Sequence, residues 1–482
     1  MLLTQRALWK LRSTIPDPTV LNLAFGLLLE GPFDRTSMEW ALQELVRRHE
    51  PLRTVYSGSV DCPVAEVATD VDMALEYEEV SGPSGHSRFA GLLNRFREML
   101  HCPIDAPPLL RARCLHLEPD QHVLLLVFNH LAVDGWALEL FGREAEQLYA
   151  ARLARTASPL PALRVRQLHA VEREWETWRG GSQAQAELEE RRREFTKLSG
   201  RAVLPFGSVN RSAGTLRRRV LAVPQDVLKA WRASSTRAGL TLFPAVVSAV
   251  AVAICRQFGL QEVVLAALIA NRHSTTAQRV LGAHYGATAL RVAGAEGTAI
   301  TDVMNKVVDR LLAAMSHRLD IGTLTELLGQ CAGASEPLVP SCVVVMDRHP
   351  MNRLLLEDVK VTPLSTLAVD SRRLHNDLDL SVTPGADLVV FLRHFADSAG
   401  ITIFWDPARI PAIEALIDEI AGALKLLGGG LQRDAPHLEL EQGVTACALD
   451  QDGWTAAVPG VDALSPLPLS TALCRVPQGI VA

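Results

Sequence analysis

The chain has 482 residues, 48% of them hydrophobic and 21% charged, and a formal net charge of -6. At ~150 residues per domain this length predicts two to four domain-sized units with ample core, and a pI of about 6.2 argues against a general nucleic-acid-backbone binder, which carries a basic stripe. The opening MLLTQRALWKLRSTIPDPT has no long apolar core with a small-residue cleavage site, and none of the eight cysteines forms a C-x-x-C pair, so reduced thiols and a cytoplasmic location are expected. In chain order, VLNLAFGLLLEG (20–31) reads as a strand. DRTSMEWALQELVRRHE (34–50) follows as a helix, with Asp34 to Ser37 as capping material. HVLLLVFN (122–129) is a continuous apolar run bounded by polar residues, as expected of a buried strand. WALELFGREAEQLYAARL (136–153) puts Leu138, Phe141, Ala145, Leu148 and Tyr149 on one helical face.

A composition break follows at ARTASPLPALRV (154–165) and WRGGSQAQAELEERRREFTKLSGRA (178–202), read as a linker with a helix inside it. ELEERRREFTK (187–197) is a solvated face of mixed charge, and Trp175 and Trp178 are packing residues. The second half restarts the pattern with a helix at about 242–258, too short for a membrane span, and the strand EVVLAALIA (262–270). The strands SCVVVMD (341–347), LDLSV (378–382), ADLVVFLRHF (386–395) and GITIFWDP (400–407) come next, then the helix IPAIEALIDEIAGALKLL (410–427). Strands alternating with helices in both halves predict an α/β fold of two similar lobes, 1–165 and 203–432, joined by a linker or crossing helix at 166–202. Residues 433–482 form a C-terminal extension with no assigned element.

No H-E-x-x-H or Cys/His zinc spacing occurs among the 14 histidines, so no metal is expected; P-loop and G-x-S-x-G motifs are absent too. The chemistry-bearing stretch is VFNHLAVDGWALEL (127–140). There a strand ends in His130, with Asp134 and Gly135 just before a helix. Histidine is the default proton shuttle near neutral pH, but it must be neutral and its ring must be held. A carboxylate four residues on can hold the ring or organise its loop, and Gly135 is expected to permit a turn where a Cβ would clash. A satisfied structural histidine is the competing reading of this spacing.

Other stretches add context in a fixed order. LTQRALWKL (3–11) matches A-Q-x-R-L-W at Gln5 and Trp9, and RRHEPLRTVY (47–56) matches R-H-E-x-L-R-T-x-F at Arg48, His49, Glu50, Leu52, Arg53 and Thr54. RVRQLHAVEREW (164–175) is similar to a linker motif, VVLAALIANR (263–272) to a segment ending in A-G-R, and VLGAHYGATALRV (280–292) to I-G-F-F-V-N-T-L-P-L-R. NDLDLSV (376–382) and GITIFWDP (400–407) are similar to closing K-F-D-L and Y-x-x-x-L-F-D stretches. With VFNHLAVDG standing for HHxxxDG, the set resembles the CoA-dependent acyltransferase superfamily, in particular nonribosomal peptide synthetase condensation domains, from residue 3 to about 427.

The resemblance implies two chloramphenicol-acetyltransferase-like lobes in a V with the active-site tunnel between them. It implies no bound cofactor: a carrier protein brings the acyl group as a phosphopantetheine thioester, and an amine or hydroxyl acceptor receives it. His130 would act on the nucleophile, Asp134 would be structural and paired with Arg53, and Gly135 would let the loop approach substrate. His49 would hold the helix that presents Arg53. Asn129 replaces the first signature histidine and still offers a donor and an acceptor. His284 and Tyr285 replace apolar residues, and Gly286 replaces the Asn, of the I-G-F-F-V-N motif; His284 and Tyr285 are therefore candidate tunnel-wall contacts, and Arg291 a candidate pantetheine or carrier contact or a structural ion pair. The expectation is a free-standing, monomeric condensation enzyme of natural-product biosynthesis, with no nucleic-acid or membrane partner. The alternatives are an acyl-CoA-dependent acyltransferase of the same superfamily and a catalytically silent carrier-docking module.

Overall fold

The computed structural model describes residues 1–14, 18–80, 94–95, 98–163, 167–206, 217–223, 228–229, 242–294, 299–316, 321–347, 354–363, 386–394 and 399–429. The expected strand LDLSV, the NDLDLSV motif and the extension 433–482 lie outside the described residues.

The first lobe opens with helix α1 (Leu3–Thr14) and strand β1 (Asn22–Glu30). Helix α2 (Arg35–Arg48) starts where Asp34 accepts a hydrogen bond from the Ser37 amide, as the sequence indicates. The hairpin β2 (Thr54–Gly58) and β3 (Pro63–Val67) stands apart as a two-stranded sheet. β4 (Leu75–Glu79), β5 (Leu110–Glu118) and β6 (Gln121–Asn129) complete the lobe's strands, and helix α3 (Gly135–Leu153) follows β6 directly. β6 is apolar from Val123 to Phe128, and both of its faces are covered there. Leu124, Leu126 and Phe128 pack with Met38, Leu42, Leu138, Phe141 and Tyr149 of α2 and α3. Val123, Leu125 and Val127 pack on the other face with Met99 and Cys102.

The region expected as a linker contains α4 (Gln167–Arg179), α5 (Ser182–Glu194) and the short α6 (Gly200–Val203). Trp175 and Trp178 meet edge to face at 5.7 Å, and Trp175 packs on Leu2 and Ala277. α5 is fastened to the second lobe: buried Arg191 donates to the Ala289 carbonyl at 2.6 Å.

The second lobe comprises β7 (Arg217–Val223), α7 (Phe243–Phe258), β8 (Glu262–Ile269), α8 (Thr275–Gln278), β9 (Gly286–Ala293), α9 (Ile300–Ser316), α10 (Ile321–Cys331), β10 (Cys342–Asp347), β12 (Leu388–His394), β13 (Ala399–Trp405) and α11 (Ile413–Gly429). Its sheet runs β7-β13-β12-β10-β8-β9, with β10 parallel to β8 and β12 and the other pairs antiparallel. α7 is buried from Phe243 to Cys255 and ends at Gly259 in the left-handed region (φ 62°). That burial explains its uninterrupted apolar sequence. Among the described residues no helix is long and apolar enough to cross a membrane.

One strand corrects the expected boundaries. β11 (Lys360–Pro363) belongs by sequence to the 203–432 region, yet it pairs antiparallel with β1, Leu27 opposite Pro363 and Glu30 opposite Lys360. The first sheet therefore runs β11-β1-β6-β5-β4. Leu354, Leu356 and Val359, just before β11, are buried in the first lobe's core, as are Leu281 and Ala283. The two segments approach closely: a Cβ on Gly31, at φ 124°, would sit 2.5 Å from the Asp358 carbonyl oxygen.

Candidate active site

His130 sits at the mouth of β6, as the first residue of a five-residue loop that leads into α3. Asn129 shapes that exit. Its side-chain oxygen accepts from the Leu131 amide (3.0 Å), and its Nδ2 donates to the Cys102 carbonyl (3.2 Å). An asparagine can satisfy both needs with one planar group, so the missing first histidine leaves the loop built. From α1, Gln5 Nε2 donates to the Leu131 carbonyl at 2.8 Å and to the Tyr56 hydroxyl at 2.9 Å. Gln5 thus braces the loop from below, a role that its place in the opening motif did not reveal.

His130 is 4% exposed. Its Nδ1 lies 2.7 Å from the Val133 carbonyl oxygen. A carbonyl can only accept, so Nδ1 carries the proton, and in the neutral ring Nε2 keeps its lone pair. Burial pushes the His130 pKa below its ordinary 6.5, against the Val133 carbonyl and the Asp134 charge, which favour the imidazolium. Neutral imidazole with a free Nε2 is the protonation state a general base needs. The Tyr285 ring lies against the imidazole, centroids 5.2 Å apart and planes 23° from parallel.

Asp134 does not touch Arg53, contrary to expectation. Its Oδ1 accepts from the Ala137 amide (2.8 Å), capping α3, and from Arg272 Nη2 (2.8 Å). Its Oδ2 accepts from the main-chain amides of His284 (2.8 Å) and Tyr285 (3.1 Å). All these partners but Ala137 come from the second lobe. Burial opposes the charge, yet Arg272 and the main-chain amides of Ala137 and His284 together hold the Asp134 pKa below the usual 3.8. Arg272 itself donates to the carbonyls of Ala277 and Val280 (both 2.6 Å) and Gly282 (3.1 Å), and its guanidinium lies over Trp136 at 6.0 Å. Arg53 instead donates to the Ala68 carbonyl beyond the β2–β3 hairpin. It supports the first lobe at a distance from Asp134, whose acceptor positions are already filled. Arg272 was visible in the sequence as the arginine ending VVLAALIANR, but its burial and its pairing with Asp134 were not.

Three other expectations change. A Cβ built on Gly135 meets nothing within 4 Å, and the residue is exposed, so no steric clash requires glycine there. His284 is turned inward rather than into a tunnel. It is 3% exposed, its Nε2 is 3.4 Å from the Leu281 carbonyl, and Gly282 (φ 139°) makes room where a Cβ would come within 2.7 Å of that nitrogen. Burial and the neighbouring Arg272 push the His284 pKa down to about 3, so the ring is neutral. Arg291 spends its donors on Glu262 (2.7 and 2.8 Å) and the carbonyls of Glu194 (2.7 Å) and Thr196 (3.0 Å), the structural ion pair of the two roles considered. Of the second-lobe residues singled out, Tyr285 alone has its side chain against His130. His49 holds Glu144 of α3 at 2.7 Å, alongside Arg48 at 3.0 Å, so the RHE segment ties α2 to α3.

The sequence matches the family described as "Condensation domain" over residues 1–393. Chondramide synthase of Chondromyces crocatus is 26% identical over 374 residues, which are 74% of this chain and 9% of that protein; the chain thus spans about a tenth of that relative's length. Among solved structures, the first condensation domain of the calcium-dependent antibiotic synthetase, in complex with a substrate analogue, aligns with a TM-score of 0.69 at 17% identity, covering 89% of this chain and 95% of that one. A structure on condensation domain-mediated chain release from the enacyloxin polyketide synthase aligns with a TM-score of 0.68 at 20% identity, covering 92% of this chain and 84% of that one. These likenesses show the fold: α/β, with two chloramphenicol-acetyltransferase-like lobes.

Proposed function

Because the chain belongs to the condensation-domain family, we propose that it transfers an acyl or aminoacyl group from a carrier-protein phosphopantetheine thioester to an amine or hydroxyl, forming an amide or ester. The observation that carries this reading is the state of His130: Nδ1 committed to Val133, Nε2 free among the described residues, and the ring buried. In the proposed reaction Nε2 takes the proton of the acceptor N–H or O–H as that atom attacks the thioester carbonyl. The tetrahedral adduct then expels the pantetheine thiolate, which recovers the proton from the imidazolium. The thioester is already activated, so no acyl-enzyme is required. Charge on the adduct oxygen calls for preorganised donors. The first turn of α3 is a candidate source, since Ala137 and Leu138 amides are taken by Asp134, while Gly135 and Trp136 amides have no partner among the described residues. The protein needs no cofactor of its own in this scheme; phosphopantetheine arrives on the partner.

The test is intact-protein mass spectrometry of acyl-loaded carrier proteins incubated with the enzyme and a mixed panel of amines and alcohols. Acceptor-dependent loss of the acyl mass, abolished in His130→Ala, is the expected result. Consumption of acyl-CoA with every carrier left loaded would replace the donor in this reading. Carrier binding without turnover by any pair would favour the docking-module alternative.

A further inference from the structure

Tyr285 is the second lobe's side chain on the candidate base. Its placement is set by main-chain atoms: the amide donates to Asp134 Oδ2 (3.1 Å), and the carbonyl accepts from Thr4 Oγ1 (2.6 Å). The side chain is therefore free to serve another purpose, and it lies nearly parallel to the imidazole at 5.2 Å. Near-parallel rings at that separation form an offset-stacked pair.

The charges around His130 balance without Tyr285. On its own loop stands Asp134, neutralised by Arg272 from the turn after β8. From the turn before β9 come His284, kept neutral with a pKa of about 3, and Tyr285, whose phenol burial keeps protonated. From β2 comes Tyr56, whose hydroxyl reaches the neighbouring Leu131 carbonyl and is likewise kept protonated by burial. With the local ions paired, exclusion of water is what distinguishes this imidazole from a surface histidine.

We propose that Tyr285 is a positioning residue for His130: its ring covers one face of the imidazole, holds the pose in which Nδ1 donates to Val133, and keeps water from that face so that Nε2 stays a free base. This inference rests on the reading of His130 as the base. It also makes the His130 environment a product of both lobes, because the loop is supplied by one and its cover by the other.

The main-chain anchoring allows a clean experiment, since truncating the Tyr285 side chain leaves the bonds to Asp134 and Thr4 in place. The full chain, labelled at histidine Cε1, is titrated by NMR, and the His130 signal is assigned by its loss in His130→Ala. In the unaltered protein His130 should titrate below 6.5. In Tyr285→Ala the midpoint should rise by about one pH unit, roughly a tenfold gain in proton affinity, as water returns to the exposed face. Tyr285→Phe should restore the original midpoint, because it restores the ring. Tyr285→Leu carries the same test if the alanine variant does not fold, with a rise expected there too. An unmoved or lowered midpoint on loss of the ring overturns the proposal, and so does a Phe variant that behaves like the truncations. The titration needs no substrate. A protein that shows the shifts but transfers no acyl group would contradict the proposed function and leave the Tyr285 role standing.

Discussion

At the scale of single residues, the site depends on which atoms are already committed. His130 Nδ1 is held by a carbonyl, so the ring presents Nε2, and its lowered pKa gives a pH prediction with a definite sign. The base form persists below the ordinary 6.5, and the acid limb of kcat/KM should fall at a pH under 6.5. The same direction applies to folding. For His284 the folded pKa is about 3 against 6.5 unfolded. Its contribution is fully present above 6.5 and is lost as pH falls towards 3, by at most ~1.4 kcal/mol per pH unit. Urea denaturation at stepped pH measures this, and a stability that rises on acidification through that window would be contrary to it. Gly135 offers a different kind of prediction. Since a methyl group meets nothing within 4 Å, Gly135→Ala should fold with stability within about 1 kcal/mol of the original, as read by thermal melting. The histidine and the aspartate stood out in the sequence through their spacing together with the other motifs in order, not through spacing alone. The free nitrogen did not, because a tautomer is fixed by a three-dimensional acceptor that no spacing encodes.

At the scale of elements, Asp134 is both the N-cap of α3 and the anchor for the turn before β9. One carboxylate accepts four hydrogen bonds, three of them from across the lobe boundary. Removing Arg272 leaves a buried anion without its counter-ion, so Arg272→Ala should cost about 3–5 kcal/mol. Asp134→Ala with Arg272→Ala should cost less than the sum of the single changes, because the double variant leaves no unpaired charge; additive losses in urea melts would rule out the direct pairing. A second pair of elements exchanges roles at the ends of β8 and β9. Asn271 occupies the left-handed region (φ 52°), where glycine is the easy choice, and its Nδ2 donates to the His284 carbonyl at 3.0 Å. Opposite it, a Cβ on Gly286 would lie 3.3 Å from that same Nδ2. The motifs this sequence resembles carry glycine and asparagine the other way round. Gly286→Asn should therefore destabilise the unaltered background and be better tolerated together with Asn271→Gly; equal losses in both backgrounds would break the link. The sequence made Gly286 visible as a missing Asn, but the compensating side chain sits fifteen positions earlier, at 271, and only strand pairing brings the two together.

At the scale of the whole molecule, the two lobes were legible as two runs of alternating strands and helices, and the apolar stretches of β6 and α7 correctly marked buried cores. The crossing of β11 was not legible, because KVTP is short and weakly patterned and its partner β1 lies over three hundred residues away. That crossing, the Leu354–Val359 packing and the Asp134 anchor make each lobe depend on the other. The full chain should accordingly unfold in one cooperative step, with intrinsic fluorescence and far-UV circular dichroism giving the same urea midpoint. Two separated transitions would show that the lobes are energetically independent. The most direct test of the account is the single-turnover rate of acyl transfer, measured from pH 5 to 8 on the donor and acceptor identified by mass spectrometry, in the unaltered protein and in His130→Ala. The unaltered protein should show an acid limb below 6.5, and the variant a loss of roughly 10²–10⁴-fold with the limb gone. Equal rates with the same pH profile would contradict it, and would leave His130 as a structural histidine in a well-built turn.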